Sequence, residues 1–218
     1  MKNIIITGSN GMIGGLILRY CLERDDVAKV TSIVRKKSGI VHPKLLEIVH
    51  ENFPDYSSIT EHFKNQDIAF YCIGVYTGQV PKEEFRKITV DFTEAFAKTL
   101  RANSEKTIFC FLSGAGADSS EKSSVMFARD KGVAENILLK LNFAHTYIFR
   151  PAYIYPVTSR KEPNMMYSLM RFLWPVLKLV YPNGGISSED LAKAMVKAGF
   201  EGAGKSILEN KDIRALIK

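Results

Sequence analysis

Cysteine and histidine are scarce and scattered in this chain. Its three cysteines, Cys21, Cys72 and Cys110, lie far apart in apolar surroundings with no CxxC pair, which reads as buried thiols and excludes a disulfide-stapled miniprotein. The four histidines, His42, His50, His62 and His145, show no metal-ligand spacing, so no metal site is expected. There is no internal repeat and no low-complexity tract. Basic residues outnumber acidic ones, 30 to 23, for a net charge of +7, but the densest run is Arg35-Lys36-Lys37. Without an aromatic ladder or a basic helix beside it, that run does not point to nucleic acid. An anionic cofactor and a solvated basic face account for the charge equally well. The apolar start, Ile4-Ile5-Ile6, is too short for a signal peptide, so a cytoplasmic protein is expected. Residues 165–181 are apolar on nearly every side, yet Arg171, Pro175 and Lys178 interrupt them. A membrane span needs about 20 mostly apolar residues. The segment therefore reads as a helix covering a substrate cleft, with a membrane-surface or partner-binding patch as the alternative.

What the chain does have is ordinary globular composition, 46% hydrophobic and 24% charged over 218 residues, enough for one domain with a full core. Apolar β-branched runs predict strands at 2–7, 29–34, 67–73, 106–112 and 145–149, and 45–50 is a further candidate, short enough to read as helix as well. Helical periodicity predicts helices over 11–23, 81–102, 124–141 and 187–200, with a short one inside 54–65. In the 81–102 helix, Phe85, Ile88, Phe92, Phe96 and Leu100 form one stripe. Such alternation implies an α/β fold, a Rossmann-like doubly wound parallel sheet with ligand at the carboxyl ends of its strands. The rhythm breaks after Pro151, and residues from about 152 onward are expected to form a small substrate-side lobe.

The strongest signal is Thr7-Gly8-Ser9-Asn10-Gly11-Met12-Ile13-Gly14, set between the first strand and the first helix. A GxxGxxG loop there has a physical logic. Gly8 allows a tight turn, Gly11 lets a pyrophosphate approach the backbone, and Gly14 lets the helix pack on the strands. The helix N-terminus then holds the phosphates through its amides and positive end. Gly8, Ser9, Asn10, Gly11, Met12, Ile13 and Gly14 are thus candidate dinucleotide-binding residues; the plain alternative is a glycine turn. The second strand ends Val34-Arg35-Lys36-Lys37 with no acid to accept from ribose hydroxyls. Arg35 and Lys36 stand where a 2′-phosphate would sit, which points to NADP(H), against the alternative of a solvated basic loop.

On these residues, together with 67–74 (Asp-Ile-Ala-Phe-Tyr-Cys-Ile-Gly), Leu112-Ser113, Gly116-Ala117-Asp118, Lys131-Gly132-Val133-Ala134-Glu135 and Phe149-Arg150-Pro151, the chain resembles the atypical short-chain dehydrogenase/reductase superfamily. The likeness narrows to its small NAD(P)-binding, nucleoside-diphosphate-sugar-epimerase-like subgroup. The resemblance implies a Rossmann fold, bound NADP(H) with Gly74 beside it, and carbonyl, alcohol or sugar chemistry on a small-molecule substrate.

It also exposes a departure. Active members carry Tyr-x-x-x-Lys on the helix after the fifth strand, the tyrosine moving the proton and the lysine holding the ribose and lowering the tyrosine pKa. Here that stretch is Phe127-Ala128-Arg129-Asp130-Lys131, so the lysine is kept and the phenol is lost. Gly114 and Ala115 follow Ser113 where the family often adds a hydroxyl. Lys131 reads as a ribose contact, or as a surface lysine beside Arg129 and Lys140. Ser113 reads as a cleft donor or as a strand-end turn residue. Tyr76 reads as a substitute acid or as an aromatic packed on cofactor or substrate, and Tyr153 and Tyr155 stand in a similar position. Two functions follow: a reductase or dehydrogenase-like enzyme with a relocated or missing proton donor, or a non-catalytic NADPH-binding module that senses redox state or supports a partner.

Overall fold

Ile4, Ile5 and Ile6 are all fully buried, although successive residues of a strand point to opposite faces. They belong to β1 (Lys2–Thr7). Ile4 and Ile6 join an apolar cluster with Ile17, Leu18, Phe70, Phe149 and Met195. Ile5 joins a different one with Tyr71, Phe96, Phe109, Phe111 and Leu138. A strand buried on both faces belongs in the middle of a sheet covered on both sides, and the computed structural model, which describes residues 1–157, 174 and 181–218, shows that arrangement.

In chain order the strands are β1, β2 (Val27–Val34), β3 (Leu45–Val49), β4 (Ile68–Tyr71), β5 (Ile108–Leu112), β6 (His145–Arg150), β7 (Tyr153–Tyr155), β8 (Gly185–Ser187) and β9 (Ile207–Glu209). Seven form one sheet in the order β3-β2-β1-β4-β5-β6-β9, and β7 pairs with β8 apart from it. Every pairing is parallel. The helices are α1 (Met12–Glu23), α2 (Lys82–Arg86), α3 (Phe92–Asn103), α4 (Met126–Lys140), α5 (Ser188–Glu201) and α6 (Asn210–Ala215). Residues of α1 and α5 pack in the cluster of Ile4 and Ile6, those of α3 and α4 in the cluster of Ile5.

The strand order runs outward from β1 in one direction and from β4 in the other. This reversal opens a crevice above the ends of β1 and β4, where Thr7 pairs with Tyr71. The segments that follow those strands, 8–11 and 72–78, flank it.

Three elements differ from the sequence expectation. The helix expected over 81–102 carries a π-helical turn, Lys87–Asp91, between α2 and α3. The wider turn rotates the apolar stripe: Phe85, Phe96 and Leu100 enter the core, while Ile88 and Phe92 face the crevice. The helix expected inside 54–65 is 3-10, Ser57–Phe63. The lobe expected from 152 divides. Tyr153 does line the crevice, but α5 packs on α1 and β9 extends the main sheet. α5 is capped at its start: the Ser187 hydroxyl accepts from the Asp190 amide at 3.0 Å. Of the apolar 165–181 segment, all but Trp174 and Tyr181 lies outside the described residues.

Candidate functional site

Two clefts meet above the carboxyl ends of the strands. One, about 700 Å³, lies against Gly8–Gly11, Arg35, Lys36, Phe53 and Phe92. The other, about 740 Å³, lies against Met12, Ile13, Tyr76, Phe127, Lys131 and Tyr153. Gly11 and residues 72–75 line both, so an extended two-part ligand can bridge them.

The glycine loop is built for close approach. Gly8 has φ +79°, and a Cβ on it would stand 2.6 Å from the Cys72 carbonyl. Gly11 is the N-cap of α1, whose first turn has neither a side-chain cap nor an acidic residue. That leaves the positive end of the helix for an anion. Ser9 turns inward: its hydroxyl is buried against that of Ser32 at 2.6 Å, which holds the loop to β2. The Asn10 side-chain amide donates to the Lys36 carbonyl at 2.8 Å and so fixes the turn that carries Arg35 and Lys36. Gly14 lines neither cleft; it packs beneath the Gly8 carbonyl. Gly74 lies in the wall shared by the two clefts. The expectation of three buried thiols needs one correction: Cys72 is only partly buried and lines both clefts, although its burial pushes the thiol up to about 12.

Lys131 is buried, so the surface-lysine reading is excluded. Its Nζ donates to the Leu112 carbonyl at 3.3 Å and lies 5.1 Å from the centre of the Phe111 ring. Burial lowers its pKa from 10.5 to about 8, against the opposing charge of Glu135. An unfolded chain keeps the higher value. Between those two pH values the unfolded state binds the extra proton, so stability rises with pH; at pH 7 both states carry it and burying the charge is costly. Lys131→Met is therefore expected to stabilise the ligand-free protein at pH 7 by up to about 3 kcal/mol. It should also flatten the rise toward pH 10.5. Thermal melts of both proteins at pH 7 and pH 10 check this.

Behind Lys131 lies a charge network. The Ser113 hydroxyl donates to Glu135 Oε1. Glu135 is fully buried, and Arg150 Nε donates to its two oxygens at 3.1 and 3.2 Å. Arg150 also reaches Glu209 at 3.1 Å and the Ser119 hydroxyl at 2.8 Å. Its partner Glu135 raises the guanidinium above its ordinary pKa. The sequence placed Glu135 and Arg150 only within motifs; the signal for their pairing was an acid one helical turn past Lys131 and an arginine ending β6.

Phe127 lines the same cleft as Lys131. The tip of its ring is 2.7 Å from the place a Cβ on Gly114 would take. The phenyl thus fills the space of a side chain at 114. Tyr76 and Tyr153 line the same cleft, whereas Tyr155 does not.

A family model described as NAD(P)H-binding matches residues 8–200. The chain belongs to the NAD(P)H-binding family. Protein HTATIP2 of Rattus norvegicus is 28% identical to it over 100% of this chain and 90% of its own length. Mitochondrial protein fmp52 of Aspergillus clavatus is 26% identical over 92% of this chain and 88% of its own. Among solved structures, WbmH of Bordetella bronchiseptica in complex with NAD+ has a TM-score of 0.70 at 19% identity, covering 95% of this chain and 74% of that one. Yeast methylglyoxal/isovaleraldehyde reductase Gre2 complexed with NADPH has a TM-score of 0.68 at 14% identity, covering 94% and 77%. These structures share the Rossmann-like fold, and the family assignment makes a pyridine nucleotide the ligand of this chain. The cytoplasmic location expected from the sequence is corrected by the fungal relatives, which are named mitochondrial. Among the described residues no helix is long and apolar enough to cross a membrane.

Proposed function

We propose that this chain is an NADPH-binding, oxidoreductase-like protein that keeps the cofactor site of its family and has replaced the usual proton donor. The observation that carries this reading is the pairing of a buried Lys131 with Phe127 in one cleft. The residues present fit a dinucleotide. Gly8, Gly11 and the first turn of α1 would hold its pyrophosphate, Arg35 and Lys36 its adenosine end, and Gly74 and Lys131 its nicotinamide end. When bound, that group supplies a hydride. The chain itself positions the acceptor and, through the Lys131 ammonium, offsets charge that develops on it.

Arg35 and Lys36, with no acid at the end of β2, support NADPH over NADH. A charge-assisted hydrogen bond contributes about 1.5–3 kcal/mol, so Arg35→Ala is expected to weaken NADPH roughly 10- to 100-fold and to change NADH little. Calorimetric titration with both nucleotides decides it; equal losses would remove the 2′-phosphate from this site.

Phe127 and Gly114 favour a second reading, a module that binds NADPH without turning over a substrate. Purifying the protein, identifying the copurified nucleotide and screening carbonyl compounds by NADPH absorbance separates the two. General acid catalysis contributes about 10²–10⁴-fold. Native turnover of simple aldehydes and ketones should be slow, and Phe127→Tyr should raise it by at least about tenfold. High native activity indifferent to this change would assign the proton to another residue, Tyr76 first. The names of the fungal relatives support a mitochondrial setting.

A further inference from the structure

The substrate half of the crevice has an unusual inventory. Among the described residues lining it, Lys131 is the one charged side chain. The rest is mostly aromatic or apolar, with Tyr76, Phe127, Tyr153, Ile13, Pro151 and Ile154 forming the walls and Thr77, Cys72 and Ser113 as the small polar side chains. The Ser113 hydroxyl is committed to Glu135, and position 127 offers a ring edge in place of a phenol.

We infer, on the reading that this chain is an NADPH-dependent oxidoreductase, that its substrate is a planar, uncharged, conjugated hydride acceptor of the quinone class. The reasoning is one of basicity. Hydride addition to an ordinary aldehyde or ketone makes an alkoxide, a base comparable to hydroxide, whose parent water has a pKa of about 16. It has to be protonated as it forms, and the residue that does so in active relatives is absent. Hydride addition to a quinone makes a phenolate, whose parent acid has a pKa near 10. That anion persists beside a fixed cation and takes its proton from solvent afterwards. The quinone accepts a hydride, one proton with two electrons, from the reduced dinucleotide, which is thereby oxidised. The resulting hydroquinone monoanion is held by the Lys131 ammonium, and one proton from water completes the hydroquinone. The aromatic walls suit a flat ring. A nucleoside-diphosphate sugar fits poorly, because a diphosphate needs several cations and the described lining supplies one.

The test uses the full chain with saturating NADPH and three acceptors: 2-methyl-1,4-naphthoquinone, benzaldehyde and UDP-glucose. Binding is followed separately in the NADP+-loaded protein by quenching of Trp174. It is the one tryptophan of the chain, and its ring lies 5.4 Å from that of Tyr153 in the cleft wall. The expected result is saturable quenching by the quinone and turnover at least tenfold faster than with benzaldehyde. Lys131→Met should lower quinone turnover by at least about tenfold, while Lys131→Arg, which keeps the charge, should retain most of it. Absence of saturable quenching, quenching without turnover, benzaldehyde or UDP-glucose used as fast as the quinone, or Lys131→Met at native rate would each overturn the substrate class while leaving nucleotide binding intact. Failure to bind NADPH at all would overturn the proposed function itself, and this inference with it.

Discussion

Glu135→Ala is expected to lower the melting temperature by about 6–20 °C. Glu135 is fully buried, and its partner Arg150 exposes only 11% of its side chain. Removing the carboxylate leaves that guanidinium, which water barely reaches, with only the half-exposed Glu209 as an ion-pair partner among the described residues, a loss of about 3–5 kcal/mol, and in a domain of this size each kcal/mol moves the midpoint by about 2–4 °C. It also strips the Ser113 hydroxyl of its acceptor. The double replacement Glu135→Ala with Arg150→Met should recover much of the loss, because the buried charge that lost its carboxylate is removed with it. Calorimetry of the three proteins separates these effects. A single-variant loss below about 1 kcal/mol, the range of a surface pair, would mean that solvent screens this network.

Gly11→Val should abolish NADPH binding, by more than about 100-fold, in a protein that still folds. A Cβ at 11 meets only the Gly8 carbonyl oxygen, at 3.1 Å, and the backbone there, at φ −88° and ψ 173°, is open to any residue. The added side chain instead enters the space a pyrophosphate needs. Gly14→Ala is the opposite case. Its Cβ would overlap the Gly8 carbonyl, so it should destabilise the fold by about 1–3 kcal/mol before any ligand is considered. Nucleotide fluorescence titration beside thermal melts distinguishes them. Undiminished NADPH binding by Gly11→Val would make the loop a purely structural turn.

What the sequence made legible follows the range of the interactions. β1 and α1 are read from neighbours: an isoleucine run, a glycine loop and a helical stripe, each complete within a few residues. β7, β8 and β9 have three residues each, too few for any periodicity to register, and they exist because distant strands present paired edges. The π turn at Lys87–Asp91 shifts a stripe whose spacing alone reads as one continuous helix. The glycine loop was legible as a site for the same local reason. The Glu135–Arg150–Glu209 network was not, since it joins α4, β6 and the end of β9 through links of 15 and 59 residues of chain. The occupation by Phe127 of the space above Gly114 appears only when the two are seen in contact.

The crevice at the β1/β4 reversal has a consequence for how long the protein lasts. A nucleotide seated there would touch segments that follow β1, β2 and β4, and also α4. Such a ligand acts as a removable cross-brace. At a hundredfold excess over its dissociation constant it adds about 2.7 kcal/mol to the native state, and the population open to proteases shrinks by about the same hundredfold. Turnover of this protein would then follow the supply of nucleotide: copies left empty when that pool runs down are the ones a protease removes first.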